Sequence, residues 1–148
     1  MEVHVRSARL TDLDASLRIL ASDGDGSGAA LHEADFLRNL LFVPSATVLV
    51  AETQRRVVGI GVLAIRPSAR FGPFVGVIDE LAVAREHDLA AAERLQVAGT
   101  IVEHLASSAR NKGCTRVEVA EPLVTAEPAL WKRAGFASRG RTLSRQFG

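Results

Sequence analysis

Three apolar runs lie close together in the middle of the chain, and they constrain its fold more than any other feature. Thr47 to Glu52 and Arg56 to Arg66 are rich in Val, Ile and Leu, which favours β-strands. Only Thr53-Gln54-Arg55 separates them, a spacing typical of a β-hairpin. Phe74 to Val83 then continues as a strand whose lone polar pair is Asp79-Glu80. We therefore expect neighbouring strands in one sheet.

Helical patterns stand on both sides of these strands. A first strand is predicted over residues 2–8, followed by a helix that begins at Thr11 and a second helix from His32 to Leu41. Apolar residues at helical spacing mark a long helix that Gly113 ends. After it we predict a strand over Thr115–Ala120, a short helix over Glu127–Ala134, and one or two closing strands over Phe136–Phe147. The order β-α-α-β-β-β-α-β-α-β indicates an α/β (α+β) fold with helices on both faces of a sheet.

Composition excludes several classes of protein. A length of 148 residues with 47% apolar residues favours a single domain over residues 1–148. The net charge of +1 argues against nucleic acid or an anionic membrane as partner, and no apolar run is long enough for a transmembrane helix. Without a signal peptide we expect a cytoplasmic protein. A single cysteine, Cys114, and no pair of histidines at ligand spacing predict no metal site.

Four segments match successive elements of one known family in order and spacing. They are Val57-Val58-Gly59-Ile60-Gly61, Ile78-Asp79-Glu80-Leu81-Ala82-Val83, Gly113-Cys114-Thr115-Arg116-Val117-Glu118-Val119 and Leu130-Trp131-Lys132-Arg133-Ala134-Gly135-Phe136. Through them the chain resembles the GNAT superfamily of N-acetyltransferases. The resemblance implies a mixed, mostly antiparallel sheet, and acetyl-CoA in a gap between the fourth and fifth strands.

In the family, a loop before the long helix holds the pyrophosphate of acetyl-CoA with backbone N–H groups. The resemblance places Glu93-Arg94-Leu95-Gln96-Val97-Ala98 on this loop, but Gln96 stands where the family has glycine, and Glu93 where it has Gln or Arg. The residues that the resemblance assigns to acetyl-CoA are Leu81, Ala82, Val83, Arg94, Gln96, Val97, Ala98 and Trp131. Two interpretations remain. A helix running unbroken from Asp88 to Lys112 would use the N–H groups of residues 94–98 internally, whereas a helical insertion followed by a break would restore the loop.

Amine acetylation needs a base for the ammonium proton and an acid for the departing thiolate. Glu80 is the candidate base, because partial burial in a strand would raise its pKa toward neutrality. Asp79 is its competitor, and strand alternation predicts that only one of the two faces the cleft. Trp131 occupies the position where many relatives have a catalytic tyrosine, and its indole cannot act as an acid. His87 and His32 are weaker candidates, for a base or phosphate contact and for the acceptor site.

The leading hypothesis is an N-acetyltransferase that moves an acetyl group from acetyl-CoA to a primary amine of a small molecule or peptide by direct attack. The alternative is a catalytically inactive relative that binds a ligand or dimerises without CoA. A third hypothesis is an acyltransferase that uses a pantetheine donor without a nucleotide. In the family, the segment that joins the first two helices borders the acceptor site, so the resemblance implies that Asp23, Asp25 and Glu33 favour a cationic acceptor. The closing segment around Leu143 and Phe147 can pair across two copies of the chain, as a homodimer.

Overall fold

The structure, a computed structural model, describes residues 1–23, 30–85, 89–138, 143 and 145–147. Their elements alternate as the sequence predicts as far as the fifth strand. In chain order they are β1 (His4–Ser7), a 3-10 turn (Leu10–Asp12), α1 (Leu13–Asp23), α2 (Ala30–Leu40), β2 (Ala46–Thr53), β3 (Arg56–Pro67), β4 (Phe74–Val83), α3 (Ala91–Asn111), β5 (Cys114–Val119), α4 (Glu121–Ala126) and α5 (Pro128–Arg133). None of the helices in these ranges combines the length and hydrophobicity needed to cross a bilayer.

The strands form a single five-stranded sheet in the order β1-β2-β3-β4-β5. The first three pairings are antiparallel and the β4–β5 pairing is parallel, which confirms a mixed, mostly antiparallel sheet. The predicted hairpin joins β2 to β3 through Gln54 and Arg55, whose φ angles of 50° and 63° are left-handed. Two left-handed residues suit the twist of a two-residue hairpin.

Helix α3 lies unusually close to β3, because glycines face it there. A Cβ atom on Gly59 would stand 2.8 Å from Ile101 Cδ1, and one on Gly61 would stand 2.5 Å from Ile101 Cγ2. Neither Ile101 nor Leu105 has exposed surface. The lack of a side chain at Gly59 and Gly61 therefore determines how closely α3 packs against the sheet.

Helices α1 and α2 cover the opposite face of the sheet, where they bury Ile19 and Leu37. An ion pair ties β1 to the start of α1: the Arg6 guanidinium donates hydrogen bonds of 2.7 and 2.8 Å to the two carboxylate oxygens of Asp12. Hydrogen bonding to Arg6 holds the pKa of Asp12 below its usual range. The charged pair therefore fixes the entry of the chain into its first helix.

The C-terminal third confirms one prediction and corrects another. The predicted helix over Glu127–Ala134 is confirmed as α5, and a further short helix that was not predicted, α4, precedes it. Pro122 and Pro128 each stand in the first turn of one of these helices. The closing strand is absent from residues 136–138, 143 and 145–147, the described part of its range. Leu143 and Phe147 are 90% and 88% exposed, so neither is buried as a strand in this sheet would require.

Candidate active site

Strand β4 borders a gap, because its partner β5 ends halfway along it. The parallel pairing runs from Phe74 opposite Cys114 to Ile78 opposite Val119. The last contact is the N–H of Ala120, which donates to the carbonyl oxygen of Ile78 over 3.0 Å. Beyond it the chain turns into α4, so residues 79–83 have no β5 residue opposite them.

A β-bulge lies at the start of this gap. Val62 pairs with Glu80 but the next residue, Leu63, pairs with Ile78, so Asp79 is an extra residue in β4. A bulge interrupts the alternation of side chains along a strand. The expectation that only one of Asp79 and Glu80 faces the cleft is therefore wrong, because both line the same cavity.

The gap opens into a cavity of about 820 Å³. Strand β4 forms its floor, and the walls come from α1 and α2 on one side and from α3, α4 and α5 on the other. Its described lining is apolar apart from a few charged side chains, which are Asp79, Glu80, Arg85, Arg94 and Glu127. This volume is in the range of sites that bind small molecules and cofactors.

The backbone N–H of Leu81 points into the gap. The N–H of Ala84 donates to Val58 on β3 over 2.7 Å, and successive N–H groups of a strand point to opposite edges. The N–H of Leu81, three residues earlier, therefore points away from β3. It donates to Oε1 of Glu80 over 3.0 Å. The candidate base thus accepts a hydrogen bond from the backbone donor nearest to it.

Helix α3 is continuous through the segment predicted to hold phosphate. The N–H of Arg94 donates to the carbonyl oxygen of Ala90 over 2.9 Å, and residues 95–98 lie in regular helical turns. The structure agrees with the interpretation of a helix that is unbroken through residues 94–98, but this helix begins at Ala91 and does not begin at Asp88. Only the N–H groups of residues 91–93 lack helical acceptors. The Glu93 carboxylate accepts the N–H of Ala90 over 3.0 Å and so caps this end of the helix.

Most of the residues that the resemblance assigns to the site line the cavity. These are Glu80, Leu81, Ala82, Val83, Arg94, Ala98 and Trp131. Gln96 and Val97 do not line it: the Gln96 amide donates to the carbonyl oxygen of Met1 over 3.2 Å, and Val97 is fully buried close to Gly59. Their places on a regular helix explain this, because consecutive helical residues point in different directions.

Trp131 is buried and its hydrogen-bonding capacity is used within the fold. Only 3% of its surface is exposed, and its indole N–H donates to the carbonyl oxygen of Leu123 over 3.0 Å. Phe136 packs against its ring edge-on, with ring centroids 5.4 Å apart. The side chain therefore shapes the wall beside α4 and offers no proton donor to the cavity.

Sequence reasoning missed Arg85, which follows β4 directly and lines the cavity with Arg94 from α3. The sequence could have indicated Arg85, because a basic residue just after this strand stands beside the gap. It also missed the wall from α4, where Pro122, Leu123 and Ala126 line the cavity.

Several of the remaining candidates lie outside the described residues. They are His87, Asp25 and the side chains of His32, Asp23 and Glu33. Burial raises the pKa of the Cys114 thiol, which makes it a poor nucleophile at neutral pH. In the described ranges no three His, Cys, Asp or Glu side chains are grouped so as to hold a metal ion.

Comparisons with known proteins agree with this architecture. The model of the acetyltransferase (GNAT) family matches residues 15–136. No curated protein shows significant sequence similarity to the chain.

Solved structures share the fold at low sequence identity. A transcriptional regulator from Bacillus halodurans C-125 is 17% identical, with a TM-score of 0.81, covering 99% of this chain and 100% of that one. A ribosomal-protein-alanine N-acetyltransferase from Brucella melitensis biovar Abortus 2308 is 21% identical, with a TM-score of 0.76 and the same coverage. The aminoglycoside N-acetyltransferase AAC(6')-Iy in complex with CoA is 16% identical, with a TM-score of 0.76, covering 99% of this chain and 95% of that one.

Proposed function

Because the chain belongs to the acetyltransferase (GNAT) family, we propose that residues 1–148 form one domain that transfers the acetyl group of acetyl-CoA to a primary amine of a small molecule or peptide. The observation that carries the proposal is the gap beside residues 79–83, which opens into the cavity and places Glu80 within it. A neighbour of the same fold, the aminoglycoside N-acetyltransferase AAC(6')-Iy, forms a complex with CoA, which supports the choice of donor.

The residues of the cavity fit acetyl-CoA, but the groups that would contact its pyrophosphate differ from those of the family pattern. The N–H groups of residues 94–98 are bonded within α3, so they are not available to the pyrophosphate. Arg85 and Arg94 instead provide two positive charges in the cavity, which Ala91 at the start of α3 also lines. Guanidinium groups and a helix N-terminus both attract phosphate. The pantetheine arm would then extend along the free edge of β4 toward Glu80.

The chemistry is a direct attack of the amine on the thioester. Asp79 and Glu80 attract the substrate ammonium, and the Glu80 carboxylate takes one of its protons. The amine nitrogen then bonds to the carbonyl carbon, and the carbon–sulfur bond breaks. The nitrogen loses its second proton to solvent as the amide forms, and CoA leaves as a thiolate that takes a proton from solvent. No tyrosine is needed for this last step, because a thiol with a pKa of about 8.5 is a good leaving group.

The N–H of Leu81 can bind the thioester carbonyl oxygen only after its hydrogen bond to Glu80 breaks. The thioester carbonyl oxygen gains negative charge during the attack, and a backbone donor in the gap would stabilise that charge. Glu80 accepts this N–H in the structure. Donor binding would therefore exchange one acceptor of this N–H for another and remove one hydrogen bond from the Glu80 carboxylate.

One observation favours a second candidate, a relative without catalytic activity that binds a ligand or dimerises. Helix α3 uses the N–H groups that the family pattern assigns to the pyrophosphate, and the Glu93 carboxylate stands at the start of that helix. A carboxylate near phosphate is electrostatically unfavourable. In this candidate the cavity would no longer accept a nucleotide.

The experiment is a comparison of Glu80→Gln with Glu103→Gln. Glu103 is exposed on α3, so its variant makes the same chemical change away from the cavity. Glu80→Gln should lower kcat about a hundredfold or more, since loss of a general base costs 10²–10⁴. The amide oxygen of Gln can still accept the N–H of Leu81, so acetyl-CoA affinity should stay the same, and Glu103→Gln should match the wild type in both.

Equal turnover in Glu80→Gln and wild-type protein would remove Glu80 from the reaction. Failure of acetyl-CoA to bind the wild type in calorimetry, even at millimolar concentration, would instead support the inactive relative.

A further inference from the structure

We infer that the acceptor is a primary monoamine with an apolar alkyl or aromatic body, and neither a polyamine nor a polyhydroxylated amine. This inference rests on the amine acetylation proposed above and narrows its substrate class. It is carried by the side chains on the wall of the cavity that faces Glu80.

The two faces of β4 separate the cavity into a donor side and an acceptor side. Leu81 pairs with Gly61, which faces α3, so the Leu81 side chain is on the α3 face. Glu80 pairs with Val62, one position along, and both side chains lie on the opposite face. That face is covered by α1 and α2. An amine that reaches Glu80 from this side is therefore enclosed by those two helices.

The wall contributed by α1 and α2 is apolar. Leu20 and Ala21 from α1, and Phe36, Leu37 and Leu40 from α2, line the cavity there. Phe36 is 66% exposed although it is a large aromatic side chain. An exposed aromatic ring at the mouth of an apolar cavity is typical of a ligand contact. The body of the acceptor would cover this ring.

Among the described residues of the acceptor side, polar side chains are confined to the point of reaction. The described lining contains no Ser, Thr, Asn or Gln, and Asp79 and Glu80 are the acidic residues of β4. The other charged lining residues, Arg85, Arg94 and Glu127, come from the donor side. Sugar hydroxyls placed against the described part of this wall would lose water without gaining a hydrogen bond, and a second ammonium group would meet no carboxylate among these described residues. One positive charge at one end of an apolar body fits these surroundings.

Three amines with the same six-carbon chain test the inference: hexylamine, 6-aminohexan-1-ol and 1,6-diaminohexane. They share the reacting amine and differ only in whether the last carbon carries hydrogen, a hydroxyl or an ammonium group. We expect kcat/KM to fall in that order, by about tenfold or more from the first to the second, because burying an unpaired hydroxyl is unfavourable. Glucosamine and spermidine should be poorer substrates than hexylamine.

A pair of phenylalanine variants ties the preference to the wall. Phe36→Ala should raise KM for 2-phenylethylamine about tenfold with little change in kcat, because it removes apolar contact with the bound amine. Phe42→Ala is the matched control: Phe42 is 69% exposed just beyond α2 and does not line the cavity. Its KM should equal that of the wild type, and Phe36→Leu should restore much of the lost affinity.

The outcomes separate this inference from the proposed function. Release of CoA with 1,6-diaminohexane, spermidine or glucosamine at rates equal to or above those with hexylamine would overturn the inference and leave the acetyltransferase intact. An equal rise in KM for Phe36→Ala and Phe42→Ala would also overturn it, as would a strict requirement for a peptide acceptor. Absence of acetyl-CoA binding would overturn the proposed function itself.

Discussion

Replacing Gly61 by alanine tests the packing that places α3 over the sheet. The new Cβ atom would lie 2.5 Å from Ile101 Cγ2 and 2.9 Å from Leu105 Cδ1. Both neighbours are completely buried, so they cannot move into open space. Overpacking of this kind costs 1–3 kcal/mol, and we expect Gly61→Ala to lower the free energy of unfolding by about 2 kcal/mol.

Gly99→Ala is the matched control, since it makes the same change at a position of α3 that faces open space. Gly99 lies within α3, and a Cβ atom there would have nothing within 4 Å. Alanine favours a helix over glycine by about 0.5–1 kcal/mol, so this variant should be more stable than the wild type. The two glycines should thus respond to one substitution with opposite signs.

Thermal unfolding measures both effects. For a chain of this size 1 kcal/mol shifts the midpoint by about 2–4 °C, so Gly61→Ala should lower it by about 6 °C and Gly99→Ala should raise it by about 2 °C. The shift should also reach the site, because α3 carries Arg94 and Ala98. We expect weaker acetyl-CoA binding in Gly61→Ala well below its midpoint. A midpoint for Gly61→Ala equal to that of the wild type would refute the close approach of α3 to β3.

Two further substitutions test the ion pair and the buried indole. Because the pKa of Asp12 is lowered by Arg6, its contribution to stability is complete above its unfolded pKa of about 3.9 and is lost as the pH falls through its folded pKa. Asp12→Asn should therefore destabilise the protein by about 2 kcal/mol at pH 7 and flatten the decline of stability below pH 4. The measurement is urea unfolding at several pH values, and an unfolding free energy that declines with pH as steeply in the variant as in the wild type would contradict this. Trp131→Phe removes the N–H bond to Leu123 and should cost about 1–2 kcal/mol while leaving kcat largely unchanged. A large loss of kcat at unchanged stability would show that the indole takes part in the reaction.

The sheet could be predicted from sequence because its strands carry local signals. The predicted limits of Phe74–Val83 match β4, and Arg56–Arg66 falls one residue short of β3. Runs of Val, Ile and Leu between turn residues favour a β-strand by their local sequence alone. The end of α3 was equally visible, because Gly113 has a φ of 88° that favours glycine.

The bulge at Asp79 could not be predicted, because it is a property of two strands together. Nothing in Ile78-Asp79-Glu80 shows that Leu63 and Val62 skip one residue between them. The alternation rule applied to β4 alone therefore separated two carboxylates that line the same cavity. The gap beside β4 has the same origin, since it depends on where β5 ends.

The start of α3 was ambiguous for a physical reason. Leu89-Ala90-Ala91-Ala92 favours a helix by intrinsic propensity, and a phosphate loop requires the same region to stay open. Propensity prevails from Ala91 onward, and Glu93 then supplies a cap for Ala90. The resemblance placed residues 93–98 on the phosphate loop of the family by their position in the sequence. In this structure the same residues are helical.

In the proposed complex, Arg85 and Arg94 hold acetyl-CoA in the cavity through their positive charges. Calorimetric titration of acetyl-CoA and acetyl-pantetheine into the wild type and Arg94→Ala measures this contribution, with exposed Arg110→Ala as the control. We predict one acetyl-CoA per chain, binding at least about tenfold weaker in Arg94→Ala and unchanged in Arg110→Ala, since a hydrogen-bonded charge pair contributes about 1.5–3 kcal/mol. Acetyl-pantetheine, which lacks the phosphates, should bind weakly and equally to all three proteins. Equal affinity for the two donors, or no binding of acetyl-CoA, would contradict the account.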